Sequence, residues 1–223
     1  MGITIRPYQA ADERHWVYTK ALAYLFSPFF DDQETTKTIL DPEVYQAACE
    51  LVAIDDATQQ LVGLLDIGVF THEMSEDNLY FPTQRLAYWE NFAVHPDWQH
   101  RGIGTQLFMA AKAYLVAHAV QALIIFTRDD AGTNQLYQKF GARLLTRDYL
   151  VIGTPKADDL QLGFRVDRAQ QRLILTNRQT GQPLTHYLRE GVYIVTDKAA
   201  VGEFDAERVI TEHSYVLELT DHG

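Results

Sequence analysis

A short segment with two glycines, Gln99-His100-Arg101-Gly102-Ile103-Gly104, carries the clearest chemical signal in this chain. It follows Leu86 to Val94, which alternate as a strand does, and it precedes a segment with helical periodicity. Glycines let the main chain curl until successive N–H groups point at one place, and the first turn of a helix adds partial positive charge. The segment therefore predicts an anion site built from backbone amides, although an ordinary structural turn would use the same glycines.

Two familiar phosphate-binding loops are excluded by the residues that follow. A Walker loop needs Lys and then Ser or Thr after its last glycine, whereas Gly104 is followed by Thr105-Gln106. A dinucleotide fingerprint needs a third glycine, and that position holds Leu107. The predicted anion site therefore belongs to another class.

Hydrophobic periodicity predicts the elements that position this loop, and together they indicate an α/β fold with a mixed sheet. The strands are expected at 3–6, 51–54, 61–67, 86–94, 122–126 and 149–152, and the helices at 12–25, 42–48, from 103 onward and around 136–140. Gly141 is expected as the left-handed C-cap of the last helix, and residues 72–84 as a long loop. Alternation on 86–94 places Tyr88, Glu90 and Phe92 on one face and Trp89, Asn91 and Ala93 on the other.

The pattern of apolar and polar residues changes after residue 153. Residues 156–223 hold short alternating runs broken by turns, which is typical of a small β-rich unit. The Gly153-Thr154-Pro155 sequence is expected to be the connecting turn. We therefore predict a first domain over residues 1–153 and a β-rich C-terminal appendage over residues 154–223.

These residues resemble the GNAT superfamily of acyl-CoA-dependent N-acyltransferases. Its hallmark is Arg/Gln-x-x-Gly-x-Gly/Ala after a strand ending in Val, and Val94 followed by Gln99 to Gly104 fits this pattern. Leu136 to Ala142 is similar to the family's Leu-Tyr-x-Lys-x-Gly-Phe segment. The resemblance spans about residues 3–152, and it implies a mixed sheet splayed beside Val94 with acetyl-CoA in the cleft.

The resemblance also implies which residues hold acetyl-CoA as a cosubstrate. Loop amides would cradle the pyrophosphate, and the Val94 N–H would act as a donor to the thioester carbonyl oxygen. Asp130 falls where the family often has an Asn that contacts the pantetheine arm, so an acid there departs from the pattern. The implied binding residues are Phe92, Ala93, Val94, Gln99, His100, Arg101, Gly102, Ile103, Gly104, Thr105 and Asp130.

Two catalytic residues are implied in the same way. Tyr137 matches a tyrosine that protonates the departing CoA thiolate, and the alternative is a tyrosine that only packs in the core.

The sequence that begins at Glu90, Glu-Asn-Phe-Ala-Val, is similar to the Glu-Asp-x-x-Val of small-amine acetyltransferases, with Asn91 departing from Asp. An amine with a pKa near 10.4 is neutral about once in 2,500 molecules at pH 7, so a carboxylate that takes its proton would help. The alternative for Glu90 is a salt-bridged or solvated strand residue.

Composition limits the partners. The 19 basic and 30 acidic side chains leave a net charge of −11, which repels nucleic acid and anionic membranes and attracts amines, although it also simply aids solubility. No apolar run reaches the length of a membrane span, and neither a signal peptide nor a His spacing typical of metal ligands is found. Cys49 is the single cysteine and is expected to be a buried small residue. A cytoplasmic protein without a metal is therefore expected.

The sequence thus predicts direct transfer of an acetyl group from acetyl-CoA to a small-molecule primary amine in a ternary complex. Two alternatives stay open at this point. The acceptor could be a protein or peptide amine, or the chain could be a CoA-binding sensor or scaffold without catalysis. The appendage could cover the acceptor cleft, shield a sheet edge or mediate a homodimer.

Overall fold

The computed structural model describes residues 2–25, 27–29, 34–156, 162–167, 172–184 and 192–219. Its strands are β1 (Ile3–Pro7), β2 (Tyr45–Asp55), β3 (Leu61–Phe70), β4 (Leu86–Val94), β5 (Ala122–Arg128), β6 (Arg143–Pro155), β7 (Leu162–Asp167), β8 (Arg172–Asn177), β9 (Pro183–Leu184), β10 (Val192–Val195) and β11 (Phe204–Glu218). Its α-helices are α1 (Glu13–Leu25), α2 (His72–Glu76), α3 (Ile103–Ala117) and α4 (Ala131–Lys139). Short 3-10 helices lie at Ala10–Asp12, Pro96–Trp98 and Lys198–Glu203.

The first of two compact units contains the described residues up to Thr146 and those from His213 onward. Its strands lie side by side in the order β1-β2-β3-β4-β5, followed by the end of β11 and the start of β6. Strands β1 to β4 pair antiparallel, whereas β4 and β5 pair in parallel. The predicted α/β fold with a mixed sheet is therefore confirmed.

The second unit spans Arg147–Glu212, and its described parts contain strands and one short 3-10 helix. There β10 pairs antiparallel with β6, and β7, β8 and β9 form a separate antiparallel sheet. The β-rich character predicted for the C-terminal residues is confirmed. The predicted division of domains at residues 153 and 154 stays a prediction.

Helices α1 and α3 cover the two faces of the first sheet. The periodic apolar residues of α3 are buried in the larger core cluster, as the spacing predicts, together with Leu65, Trp89 and Leu123 of the sheet. Trp16 of α1 is fully buried in a second cluster with Val52, Leu64 and Ala93. Residues of β4 thus face both helices, which places this strand at the centre of the unit.

Three local predictions are wrong. Residues 45–48 belong to β2 rather than to a helix, because pairing with β3 outweighs the helix propensity of Gln46-Ala47-Ala48. Part of the expected loop at 72–84 is the short helix α2, which begins after the Thr71 cap. The expected turn at 153–155 is the end of β6, where a Cβ on Gly153 would lie 2.7 Å from the Ala206 Cα, so the glycine permits close strand approach.

A β-bulge changes the predicted faces of β4. Asp66 pairs with Asn91 and Ile67 pairs with Trp89, so Glu90 is the extra residue between them. Beyond the bulge the alternation is reversed, and Trp89 and Phe92 lie on one face with their ring centroids 5.3 Å apart. The prediction that they lie on opposite faces is wrong, because it assumed an uninterrupted period of two residues.

Candidate active site

The site is a cleft that opens where β4 and β5 separate. Their parallel pairing covers only three residue pairs, from Leu86 with Ala122 to Tyr88 with Ile124. Strand β4 continues for six residues after the last pair and remains bonded to β3 on its other side. The second half of β4 therefore presents a free strand edge, and backbone groups on this edge can bind a ligand.

Two backbone amides of β4 point into this cleft. The His95 N–H donates to the Val62 carbonyl oxygen at 2.9 Å, on the β3 side. Successive N–H groups of an antiparallel strand alternate between the partner strand and the opposite side. The N–H groups of Phe92 and Val94 therefore face the cleft, whereas the Ala93 N–H faces β3.

The glycine-containing loop adds a second group of amides at the N-terminus of α3. His100 and Gly102 have positive φ angles of 60° and 78°, which turns the chain sharply before the helix. Gln106 makes the first bond within the helix, from its N–H to the Gly102 carbonyl at 3.1 Å, so the amides of 103–105 have no acceptor within the helix. The first turn carries no acidic residue and no side-chain cap. This arrangement fits an anion such as a diphosphate.

Side chains of the loop hold its shape. The Gln99 amide donates to the Val94 carbonyl at 3.3 Å, and the Arg101 guanidinium donates to the Asp97 carbonyl at 2.8 Å. The guanidinium also lies 4.7 Å from the centre of the Trp98 ring. In the structure, Gln99 and Arg101 therefore stabilise the main chain whose amides line the site.

Gly104 allows α3 to approach β4 closely. A Cβ at this position would lie 2.8 Å from Phe92 Cζ, so a larger residue displaces a ring whose own backbone lines the cleft. We expect Gly104→Ala to raise the Kd for CoA about tenfold, measured by titration calorimetry, because overpacking of this kind costs about 1–3 kcal/mol. Gly202→Ala is the matched control, since a Cβ there meets nothing within 4 Å. Equal CoA affinity in the two variants would contradict this account of the loop.

Tyr137 lies on α4 among aromatic rings. Its side chain is 4% exposed, and its ring centroid is 5.4 Å from that of Trp89 and 6.4 Å from that of Phe92. Burial raises the pKa of Tyr137 well above its ordinary range, and the nearby Tyr24 and Asp130 raise it further. The hydroxyl is therefore neutral at physiological pH and is available as a proton donor.

Glu90 lies on the other face of β4, away from α3, as alternation from Trp89 predicts. The Tyr45 hydroxyl donates a hydrogen bond to its Oε1 atom. Burial raises the pKa of Glu90, whereas the hydrogen bond from Tyr45 lowers it. The carboxylate is half-buried and suited to accepting a proton, because a raised pKa makes it a stronger base.

A network of buried charges surrounds Glu90 on the α1 side. Lys37, with 6% of its side chain exposed, bonds to Glu50 and lies 3.4 Å from Asp66. Burial raises the pKa of Asp66 to about 6. Lys20 forms a second ion pair, with Glu34. No local pattern in the sequence joins these residues, because they lie on helix α1, on strands β2 and β3, and in the segment between α1 and β2.

Asp130 acts as the N-cap of α4. Its Oδ1 atom accepts a hydrogen bond from the Thr133 N–H at 2.6 Å. We expect Asp130→Ala to lower the free energy of unfolding by about 1 kcal/mol, measured by urea denaturation, because an N-cap acceptor is lost. Asp130→Asn should remain close to the parent, since Asn caps equally well. If both variants were equally destabilised, the carboxylate charge rather than the cap would be responsible. The expected contact of Asp130 with the pantetheine arm stays a prediction.

Two further residues, Cys49 and Arg128, lie away from the amides that line the cleft. Cys49 is buried, as predicted, and burial raises the pKa of its thiol to about 12. Arg128 lies at the end of β5, where its guanidinium donates to the Pro28 carbonyl at 3.0 Å and lies over Phe29. It therefore holds the segment after α1 against the end of β5. Phe26 and Phe30, which follow α1 in the chain, lie outside the described residues.

Fold and site together define the acyltransferase class of enzyme, with an amide-lined cleft between β4 and β5. Residues 16–142 match the Acetyltransferase (GNAT) family, which is more than half of the chain. The chain therefore belongs to the GNAT family and is an acetyl-CoA-dependent acyltransferase. The resemblance seen in the sequence is confirmed. No curated protein matches the chain at the significance required.

Solved structures show the same fold at low sequence identity. A tandem GNAT protein from the clavulanic acid biosynthesis pathway aligns with a TM-score of 0.60 and 13% identity, covering 100% of both chains. The yncA protein from Salmonella typhimurium, solved with its cofactor acetyl-CoA, has a TM-score of 0.53 and 13% identity, covering 100% of this chain and 97% of its own. The ribosomal-protein-S18-alanine N-acetyltransferase from Escherichia coli has a TM-score of 0.52 and 14% identity, and the alignment covers 100% of this chain and 97% of that protein.

None of the helices in the described ranges combines the length and the hydrophobicity that a bilayer span requires. The cytoplasmic location, the absence of a metal and the homodimer remain predictions from the sequence.

Proposed function

We propose that this protein transfers the acetyl group of acetyl-CoA directly to a small-molecule primary amine. The observation that carries the proposal is the separation of β4 from β5 after three residue pairs, beside the amide-lined start of α3. A cleft with two sets of unused amides suits a cosubstrate that has both a diphosphate and a carbonyl oxygen. The face of β4 that carries Glu90 suits a cation, because carboxylates line it.

Each residue has one role in this proposal. The amides of residues 100–105 hold the diphosphate, and the Val94 N–H donates to the carbonyl oxygen as it gains negative charge. Glu90 takes a proton from the acceptor ammonium, so that the amine nitrogen can form its bond to the acetyl carbon. Tyr137 gives its proton to the sulfur when the carbon–sulfur bond breaks. The ammonium loses two protons on its way to the amide. Glu90 takes the first before the attack and passes it to solvent, and the second leaves the nitrogen after the attack and replaces, through solvent, the proton that Tyr137 gives to the thiolate. The net reaction therefore releases one proton.

The placement of Glu90 and Tyr137 supports separate base and acid roles. Tyr137 lies on the α3 side with Trp89 and Phe92, whereas Glu90 lies on the α1 side with Tyr45. The two residues thus approach β4 from opposite faces, and the open edge of β4 lies between them. Direct transfer requires this kind of separation, since the acceptor and the leaving group occupy different sides of the reacting carbon.

The test is release of free thiol from acetyl-CoA in the presence of amines. We expect small primary amines to stimulate thiol release and basic peptides of equal charge to be weaker acceptors. Preference for peptides would overturn the small-molecule acceptor. CoA binding by calorimetry without thiol release for any amine would instead indicate a sensor or scaffold.

A further inference from the structure

We propose that Tyr45 is a positioning residue that holds one carboxylate oxygen of Glu90 and leaves the other to take the acceptor's proton. The inference rests on the proposed function, in which Glu90 is the base. Tyr45 is at the start of β2 and bonds to Glu90 Oε1 across 45 positions of sequence. Within the described residues, no hydrogen bond is made to Glu90 Oε2. The carboxylate thus has one anchored oxygen and one reactive oxygen.

An irregularity in β2 brings this pair together. The pairing of β2 with β3 shifts between Tyr45 and Ala47, and the Gln46 amide stabilises the shift by donating to the Phe70 carbonyl at 2.6 Å. Bulges re-aim side chains, and this one places Tyr45 in the cluster with Phe70, whereas Ala47 packs on the opposite face of the sheet. Glu90 lies on the Tyr45 face by ordinary alternation from Trp89, and the extra residue in β4 redirects only the side chains that follow it.

The strand between them is shaped to accept the tyrosine ring. A Cβ on Gly68 of β3 would collide with ring atoms of Tyr45, so the glycine leaves the space in which the ring packs against β3. Phe70 stacks on the same ring with centroids 5.0 Å apart and planes 18° apart. The ring therefore has little freedom, and the direction of its hydroxyl is set by packing rather than by the hydrogen bond alone.

Charges around Glu90 explain why this hydrogen bond matters. The facing titratable groups are Tyr45 of β2, Lys20 of α1, and Glu34 and Lys37 between α1 and β2. Burial and Glu34 raise the pKa of Glu90, whereas Tyr45 and the two lysines lower it. Burial also raises the pKa of Tyr45 well above its ordinary range, so its hydroxyl stays protonated and remains a donor. Removing the hydroxyl should therefore make Glu90 harder to ionise.

The first experiment measures kcat/KM against pH for Tyr45→Phe. We expect about a tenfold loss below neutral pH that shrinks as the pH rises, since a charge-assisted hydrogen bond is lost while the base can still ionise at higher pH. Tyr18→Phe is the control, because it removes an exposed hydroxyl that accepts from Arg14 on α1. In a Glu90→Gln background, Tyr45→Phe should have no further effect on the pH profile. A uniform loss at every pH, or full additivity with Glu90→Gln, would overturn the inference.

The second experiment follows Glu90 itself, by carbon NMR of glutamate-labelled protein with Glu90→Gln to assign its signal. An upward move of the Glu90 titration in Tyr45→Phe supports the inference, and an unchanged titration overturns it. A titration that moves while the activity profile does not would support the Tyr45 contact and overturn Glu90 as the base, so the two failures are distinguishable. Gly68→Ala provides a second variant, since it retains the hydroxyl but displaces the ring, and it should move the titration in the same direction.

Discussion

Replacing Tyr137 with Phe should lower kcat by about 100-fold while the Kd for CoA stays near that of the parent. General acids contribute about 10²–10⁴-fold to rates, and the change removes only the hydroxyl while keeping the ring that packs on Trp89 and Phe92. The measurement is thiol release at saturating acetyl-CoA, with CoA affinity from calorimetry. The loss should be smaller for an acyl donor whose thiol leaving group is more acidic, because its thiolate needs less help from a proton.

Tyr215→Phe is the matched control for this prediction. Tyr215 is also a buried tyrosine, and its hydroxyl donates to the Asn134 side chain at 2.8 Å on the same side of the sheet. Its removal should lower the free energy of unfolding by about 1 kcal/mol and leave kcat within a fewfold of the parent. Equal kcat losses in the two variants would indicate that packing, not proton transfer, explains the effect of Tyr137→Phe.

Glu90→Gln should reduce kcat/KM by about 100-fold near pH 7, and the loss should shrink as the pH approaches the pKa of the amine. The raised pKa of Glu90 determines the direction in which the activity of the parent enzyme changes with pH. In the parent enzyme, activity rises with pH as Glu90 loses its proton, and it falls as the pH decreases through that pKa. The variant has no such carboxylate, so its rate should follow only the fraction of amine that is already neutral.

The control for this second prediction is Glu43→Gln, an exposed glutamate two residues before β2. The measurement is kcat/KM over a pH series with one primary amine. The control should reproduce the parent profile. If Glu90→Gln also reproduced it, including the fall at low pH, Glu90 would not be the base.

Local patterns in the sequence were sufficient to predict the conformation of the glycine-containing loop and the start of α3. The positive φ of Gly102 and the free first turn of α3 follow from residue types that are neighbours in the chain. The same applies to Gly141, which has a φ of 93° after α4, as a left-handed C-cap requires. Such features need no distant partner, because the backbone conformation depends on a few consecutive residues.

The faces of β4 could not be predicted in the same way. One extra residue at Glu90 reverses the direction of every later side chain, and a bulge is stabilised by the neighbouring strand rather than by its own sequence. The helix predicted at 42–48 failed for a related reason, because pairing with β3 decides the conformation of that segment. A period of two or of 3.6 residues therefore indicates the type of an element more reliably than its register.

The family, the conformation of the glycine-containing loop and the two residues proposed for proton transfer could all be predicted from neighbouring residues in the chain. The place of the end of β11 between β5 and β6, and the contact of Tyr45 with Glu90, became known only from the folded chain. The reason is physical: the first set depends on contacts between near neighbours in the chain. The second depends on strand order and register, which are set by the free energy of packing the whole sheet.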